Sequence, residues 1–276
     1  KDWAPDGSKV VVQTQPSGNG DVLIVDREGK DWQVVANQAA DEQEPRWSPD
    51  GGSILYLSNQ DGNQEIYVFY ISSGESINLT QNSAHDTQAN WAHNGTRIVF
   101  TSDRDGFFGL YDMNPDGSDV KLIGKDPTCG YKYQLSPSGE YLIYTPDSYY
   151  DRMIIGEGQE ECNMRYQTLY FLSRREQVKL ENVSPINPKW SPDSSKFLYY
   201  AYNDLVSNDA DLLVYHMDGS GSTNLDPPTN DGYLTAWSSD SSRVAQVETD
   251  PNNTEPGPYV ITVTNADGSG RHELSK

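Results

Sequence analysis

The sequence predicts an all-β protein, a six-bladed β-propeller of four-stranded antiparallel blades, with residues 1–276 forming one domain. Three observations predict it: a motif that occurs six times, a spacing that closes on itself, and the same order of turns and apolar runs inside every copy.

The six copies begin at Trp3-Ala-Pro-Asp-Gly-Ser-Lys9, Trp47-Ser-Pro-Asp-Gly51, Trp91-Ala-His-Asn-Gly95, Leu135-Ser-Pro-Ser-Gly139, Trp190-Ser-Pro-Asp-Ser194 and Trp237-Ser-Ser-Asp-Ser241. Their anchors Trp3, Trp47, Trp91, Leu135, Trp190 and Trp237 lie 44, 44, 44, 55 and 47 residues apart, and 42 steps lead from Trp237 through the terminus back to Trp3. A period that returns to its start is what a ring of repeats requires.

Within each copy the first element is a turn. In Ser-Pro-Asp-Gly the proline presets φ, the aspartate bonds to nearby amides and the glycine accepts a positive φ. A short, nearly unbroken apolar run follows: Val10 to Val12, Ile54 to Leu57, Ile98 to Phe100, Tyr141 to Tyr144, Phe197 to Tyr200, and Val244 to Val247 interrupted by Gln246. Such runs, apolar on both faces, read as strands sandwiched between two layers. After a polar loop comes a third strand: Val22 to Val25, Ile66 to Phe69, Leu110 to Met113, Leu169 to Leu172, Leu212 to Tyr215 and Val260 to Val263. Asp-Gly turns then lead into a short alternating strand, as in Ile77-Asn-Leu79 and Val120-Lys-Leu122. With the segment that ends at the anchor, each copy supplies four strands, the content of one propeller blade.

At 276 residues the chain can bury roughly three quarters of the surface its unfolded state exposes, without metal or a disulfide framework. No apolar run reaches the length of a membrane span. The formal charge of −21 disfavours nucleic acid and anionic lipid surfaces and suits a basic partner, although solubility alone explains such an excess. The chain opens at Lys1 and Asp2 within a repeat, which leads to the expectation of a mature or trimmed fragment. On that ground the seam between first and last blades is expected to be the weakest, with fraying at His272 to Leu274.

Pro45-Arg-Trp-Ser-Pro-Asp-Gly51 and Pro188-Lys-Trp-Ser-Pro-Asp193 resemble the PD40 repeat of TolB-like, WD40-like propellers, and the resemblance runs over essentially the whole chain. It implies a periplasmic or extracellular setting. Members of that family include peptidase accessory domains, lyases and binding proteins, so the resemblance fixes the fold more firmly than the function.

Sites are expected where the repeat is elaborated. Blade four inserts Pro146 to Arg165, whose Tyr149, Tyr150, Arg152, Met153, Ile154 and Ile155 are the candidate partner-binding residues, since such side chains are enriched in interface cores. Covering the blade edge is the plainer role for the same residues. Blades five and six carry longer loops as well, at Asn203 to Asp211 and Asp250 to Pro258. Cys129 and Cys162 fall where a disulfide would staple the blade-four insertion, with two free thiols as the alternative. The polar residues before each anchor are channel-lining candidates: Glu44 and Arg46, Gln88 and Asn90, Lys132 and Gln134, Asn187 and Lys189.

Catalytic chemistry is not apparent. His85, His93, His216 and His272 are scattered over four blades without a second ligand at metal spacing, so neither metal nor cofactor is expected. No nucleophile elbow is present, since Gly219-Ser-Gly-Ser222 falls in a hairpin turn. Asp103-Arg-Asp-Gly106 and Asp116-Gly-Ser-Asp119 are too short for an EF-hand loop and read as turn chemistry. The reading is therefore a non-catalytic propeller that binds a protein partner or cell-envelope component through its elaborated loop face and channel mouth. The alternatives are a polysaccharide lyase or hydrolase with its site in the channel, and a structural subunit of an extracellular assembly.

Overall fold

A computed structural model describes residues 1–14, 20–126, 133–144, 153–155, 159–161, 166–181, 188–202, 210–225, 234–249 and 259–274. The protein is all-β, with six four-stranded antiparallel sheets in the architecture of a six-bladed propeller. Within each blade the strands pair in sequence order. Blade one comprises Asp2–Trp3, Lys9–Gln13, Val22–Asp26 and Trp32–Ala36; blade two Glu42–Trp47, Ser53–Ser58, Glu65–Tyr70 and Glu75–Asn78; blade three Asp86–Ala92, Arg97–Ser102, Phe108–Met113 and Lys121–Asp126. Blade four comprises Tyr133–Leu135, Tyr141–Tyr144, Tyr166–Phe171 and Glu176–Glu181; blade five Lys189–Trp190, Lys196–Tyr202, Ala210–His216 and Gly221–Asn224; blade six Thr235–Trp237, Arg243–Thr249, Tyr259–Asn265 and His272–Glu273. The chain falls into two compact units, one of residues 1–131, 146–148 and 172–175, the other of residues 132–145, 149–171 and 176–276.

In the first unit, the alternation of side chains along a strand explains why the second strands are apolar throughout. Ile54 and Tyr56 pack with Val11, Ile24 and Phe69 in one core cluster, whereas Leu55 and Leu57 join Ile98, Phe100 and Met113 in another. Each face of the blade-two sheet thus meets a neighbouring blade. In the second unit Phe197 packs with Ile143 and Leu169, and Leu198, one residue on, packs with Val214 and Val244. Trp190 stacks on Tyr141, with ring centroids 5.9 Å apart.

The repeat turns tie blades together in two ways. Gly51 takes φ +72°, as its turn position requires, and a Cβ there would lie 3.7 Å from the Pro5 ring of the preceding turn. In blades five and six serine stands at that left-handed position, Ser194 at φ 60° and Ser241 at φ 59°. Their hydroxyls are used: Ser194 Oγ accepts the Ser138 N–H at 2.9 Å, and Ser241 Oγ accepts the Asp193 N–H at 3.1 Å. A non-glycine residue there costs about 1 kcal/mol of backbone strain, which a hydrogen bond to the preceding blade offsets. The anchor tryptophans add a third tie: Trp91 Nε1 donates to the Arg46 carbonyl and Trp237 Nε1 to the Lys189 carbonyl, at 3.3 and 2.9 Å.

The blade-four insertion, expected as loop, contains a short hairpin of its own. Met153–Ile155 pairs antiparallel with Gln159–Glu161, and Ile154 faces Glu160 in register. The fourth strand of blade three begins at Lys121, one residue later than expected, and runs on to Asp126.

Candidate functional site

The first strands of blades two and three carry the densest chemistry. Both are bulged at the same place: the register shifts between Gln43 and Arg46 in one and opposite Val99 to Thr101 in the other. The bulges put Glu44 at φ 49° and Gln88 at φ 52°, left-handed backbone at exposed non-glycine residues 44 positions apart. Bulges re-aim side chains and gather near sites. The Glu44 amide donates to Gln13 Oε1 of blade one at 3.4 Å.

Of the other channel-lining candidates, Arg46 is half-buried, with its guanidinium on the Pro45 carbonyl at 3.1 Å. Asn90 Nδ2 reaches the Gln88 carbonyl at 3.3 Å. In the second unit Gln134 is half-buried, and Lys189 spends its ammonium on the Thr235 carbonyl at 2.6 Å, with burial pushing it down from the usual lysine range. Lys132 and Asn187 lie outside the described residues, as do Tyr149, Tyr150, Arg152, Cys129 and Cys162. Met153, Ile154 and Ile155 are placed on the insertion hairpin.

Four carboxylates buried in the first unit were not singled out by the sequence: Glu42, Glu65, Asp86 and Asp112. Asp86 receives Arg104 and Asn82 Nδ2, both at 2.9 Å. Arg104 also lies over the Phe100 and Tyr111 rings, 4.9 and 5.1 Å from their centroids. Glu65 accepts from Asn63 Nδ2 at 2.9 Å, from the Asn82 N–H at 3.0 Å and from the Thr80 hydroxyl. Asp112 receives Arg97 Nε at 2.8 Å and Arg175 at 3.0 Å. Glu42 has one weak donor, Ser58 Oγ at 3.4 Å, and its Oε2 has no partner among the described residues. For two of these groups the signal is the 44-residue step itself, which superposes Glu42 on Asp86 and Gln60 on Arg104; between the same two blades Glu65 and Asp112 have no carboxylate at the matching position.

Three of the histidines make local contacts. His85 is exposed beside Asp103, with 3.6 Å between Nδ1 and Oδ2; His216 Nε2 meets Thr223 Oγ1 at 2.9 Å; and His272 Nδ1 meets the Gly270 carbonyl at 3.0 Å. Among the described residues no three metal-ligating side chains gather. The acidic turns spend their carboxylates locally: Asp116 on Ser118, Asp105 on the Tyr111 hydroxyl, and Asp103 on the His85 N–H. A groove of about 240 Å³ between the repeat turns of blades one and two is lined by Pro5, Asp6, Lys9, Trp47, Asp50 and Ile71. Its two carboxylates are occupied within their own turns, Asp6 by Ser8 and Asp50 by Ser48 and Gly52.

No curated protein matches the chain. Among solved structures it is similar to TolB from Acinetobacter baumannii, with 17% identity and a TM-score of 0.50 over 95% of this chain, which spans 62% of the TolB chain. An oligogalacturonate lyase from Vibrio parahaemolyticus matches at 14% identity and TM-score 0.59, with 100% of this chain and 76% of that one covered. A eukaryotic initiation factor matches at 12% identity and TM-score 0.61, over 99% of this chain and 64% of the other. Proteins with such different titles share the fold, so the fold alone assigns no activity. The family model described as the TolB beta propeller domain matches residues 2–169. The chain belongs to the PD40 family of TolB β-propellers.

Proposed function

We propose that the protein is a secreted or periplasmic binding module that docks a basic segment of a protein partner or cell-envelope component. The observation that carries this reading is the pair of matching bulges, which hold Glu44 and Gln88 exposed in left-handed backbone at the same position of consecutive blades. Strained backbone at exposed, non-glycine positions persists where the surroundings impose it, and it clusters at ligand clamps. Arg46 and Asn90, two residues further along each strand, extend the same polar rim. A chain of formal charge −21 attracts cationic partners and steers their encounter. The blade-four insertion, with Tyr149, Tyr150, Arg152 and Met153 to Ile155, contributes aromatic and apolar residue types of the kind enriched in interface cores.

The test is affinity capture from the envelope fraction or culture fluid of the source organism with three baits: the intact chain, an E44K/Q88K variant, and a variant whose 146–165 segment is a short Gly-containing turn. A partner kept by the intact chain and lost by either variant supports the reading and says which element carries it. A partner retained equally by all three baits, or none retained by any, refutes it.

A further inference from the structure

The blade-two carboxylate Glu42 is fully buried, and its position decides what it can do. It opens the first strand of blade two and sits at a close approach to blade one. The Glu42 N–H donates to the Gly20 carbonyl at 2.8 Å, and the Gly20 N–H donates to Asp41 Oδ1 at 3.1 Å. Gly20 has no room for a side chain there, because a Cβ would stand 2.9 Å from the Glu42 carbonyl oxygen. Backbone and carboxylates of the two blades are thus held together around one acidic residue.

Among the described residues the groups that act on Glu42 are acidic or neutral. Asp21 faces it from blade one and Asp41 from its own approach, while Ser58 and the Tyr56 phenol face it from the second strand of blade two. From the second strand of blade one Gln13 points to Glu44, and from the first strand Asp2 accepts the Trp47 N–H. On its own strand Arg46 is turned to the Pro45 carbonyl. The aligned carboxylate of blade three, Asp86, is already paired with Arg104. The residue that aligns with Arg104 in blade two is Gln60, so the cation that neutralises the blade-three carboxylate has no equivalent here.

We propose that Glu42 is a proton-controlled latch between blades one and two: it seats uncharged, and its ionisation beside Asp21 and Asp41 loosens the contact at Gly20. A buried charge without a counter-ion or a full set of donors costs several kcal/mol, so the folded latch holds its proton longer than the unfolded chain does. Burial first, then the Asp21 and Asp41 charges, raise the Glu42 carboxyl to about 7, against the pull of Ser58. The sign follows from linkage: stability from this group is fully present below the unfolded value of 4.5 and is lost as pH rises through about 7.

The experiment is amide hydrogen exchange on the intact chain from pH 5.5 to 8.5, corrected for the intrinsic pH dependence of exchange, on wild type, E42Q and Q60R. For wild type, protection of the Gly20 and Glu42 amides should fall as pH rises from 5.5 to about 7, by up to about tenfold per pH unit for a single proton, and level off above it, while the blade-three amide of Asp86 stays level throughout. E42Q, a neutral isostere, and Q60R, which restores the blade-three cation, should both flatten the response. Q60R retains Glu42, so it tests the latch even if E42Q fails to fold. Protection at Gly20 and Glu42 that is level with pH in wild type, or a fall that persists in a folded variant, overturns the proposal.

Discussion

Blade two and blade three stand 44 residues apart, anchor to anchor, and place a fully buried carboxylate at the same position of the first strand, yet they handle it in opposite ways. In blade three, Asp86 meets Arg104, which is held over Phe100 and Tyr111. In blade two the corresponding rings are Tyr56 and Tyr67, stacked 5.5 Å apart, and the corresponding loop residue is Gln60. Among the described residues Glu42 is left with one weak donor, while Glu65 in the same blade takes three. The repeat therefore specifies backbone and apolar packing but leaves charge to be settled blade by blade, through loop residues some eighteen positions away in sequence.

The largest expected effect comes from giving blade three the chemistry of blade two. R104Q leaves Asp86 charged, buried and short of its main partner, and should cost about 3 kcal/mol or more in urea unfolding. Adding D86N should return stability to within about 1–2 kcal/mol of wild type, because partner and charge are then removed together. A double variant no more stable than R104Q would mean that Arg104 acts through its aromatic contacts, not through Asp86.

Next in size is G20A, which should cost about 1–3 kcal/mol by crowding the Glu42 carbonyl. The backbone carbonyl of the aligned residue Gln64, which carries a side chain, accepts the Asp86 N–H at 2.9 Å, so the cost belongs to the blade-one seam alone. T80V removes the hydroxyl donated to Glu65 and should cost about 1–2 kcal/mol by the same assay.

The smallest effect concerns the exposed turn aspartates, whose sign is opposite to that of Glu42. The Ser238 and Ser242 hydroxyls and the Ser242 N–H hold Asp240 at about 2, and Asp6, Asp50 and Asp116 are lowered in the same manner. Their stabilisation is complete above about pH 4, the unfolded value, and is lost as pH falls through the folded values. Thermal melts should therefore weaken at both ends, below about pH 4 from the turns and toward neutral pH from Glu42. D240N should make only the acid limb shallower.

The parts of the fold that were legible are those carried by local chemistry. Every second strand contains its apolar run, since alternation between two cores demands apolar residues on both faces, and every turn sits where Pro, Asp and Gly or Ser place it. The insertion hairpin was not legible, because the three paired positions of Met153–Ile155 and Gln159–Glu161 carry no alternation and no Asn-Gly or Asp-Gly turn. Nor were the bulges, since Glu44 and Gln88 take the left-handed region without the glycine or asparagine that normally announces it. Of the polar residues before each anchor, Glu44 and Gln88 share one exposed position in the first unit, whereas Lys189 is spent on a carbonyl. That last outcome depends on residue 235, and no pattern local to the anchor encodes it.

The serine turns of blades four to six have a mechanical meaning. Each hydroxyl, at Ser194 and Ser241, is gripped by an amide of the turn before it, so a turn that peels away must release its neighbour's backbone as well. Force applied at one repeat is then shared along a row of fasteners rather than borne at one point. A protease that waits for a single turn to open would find these three repeats yielding as a group.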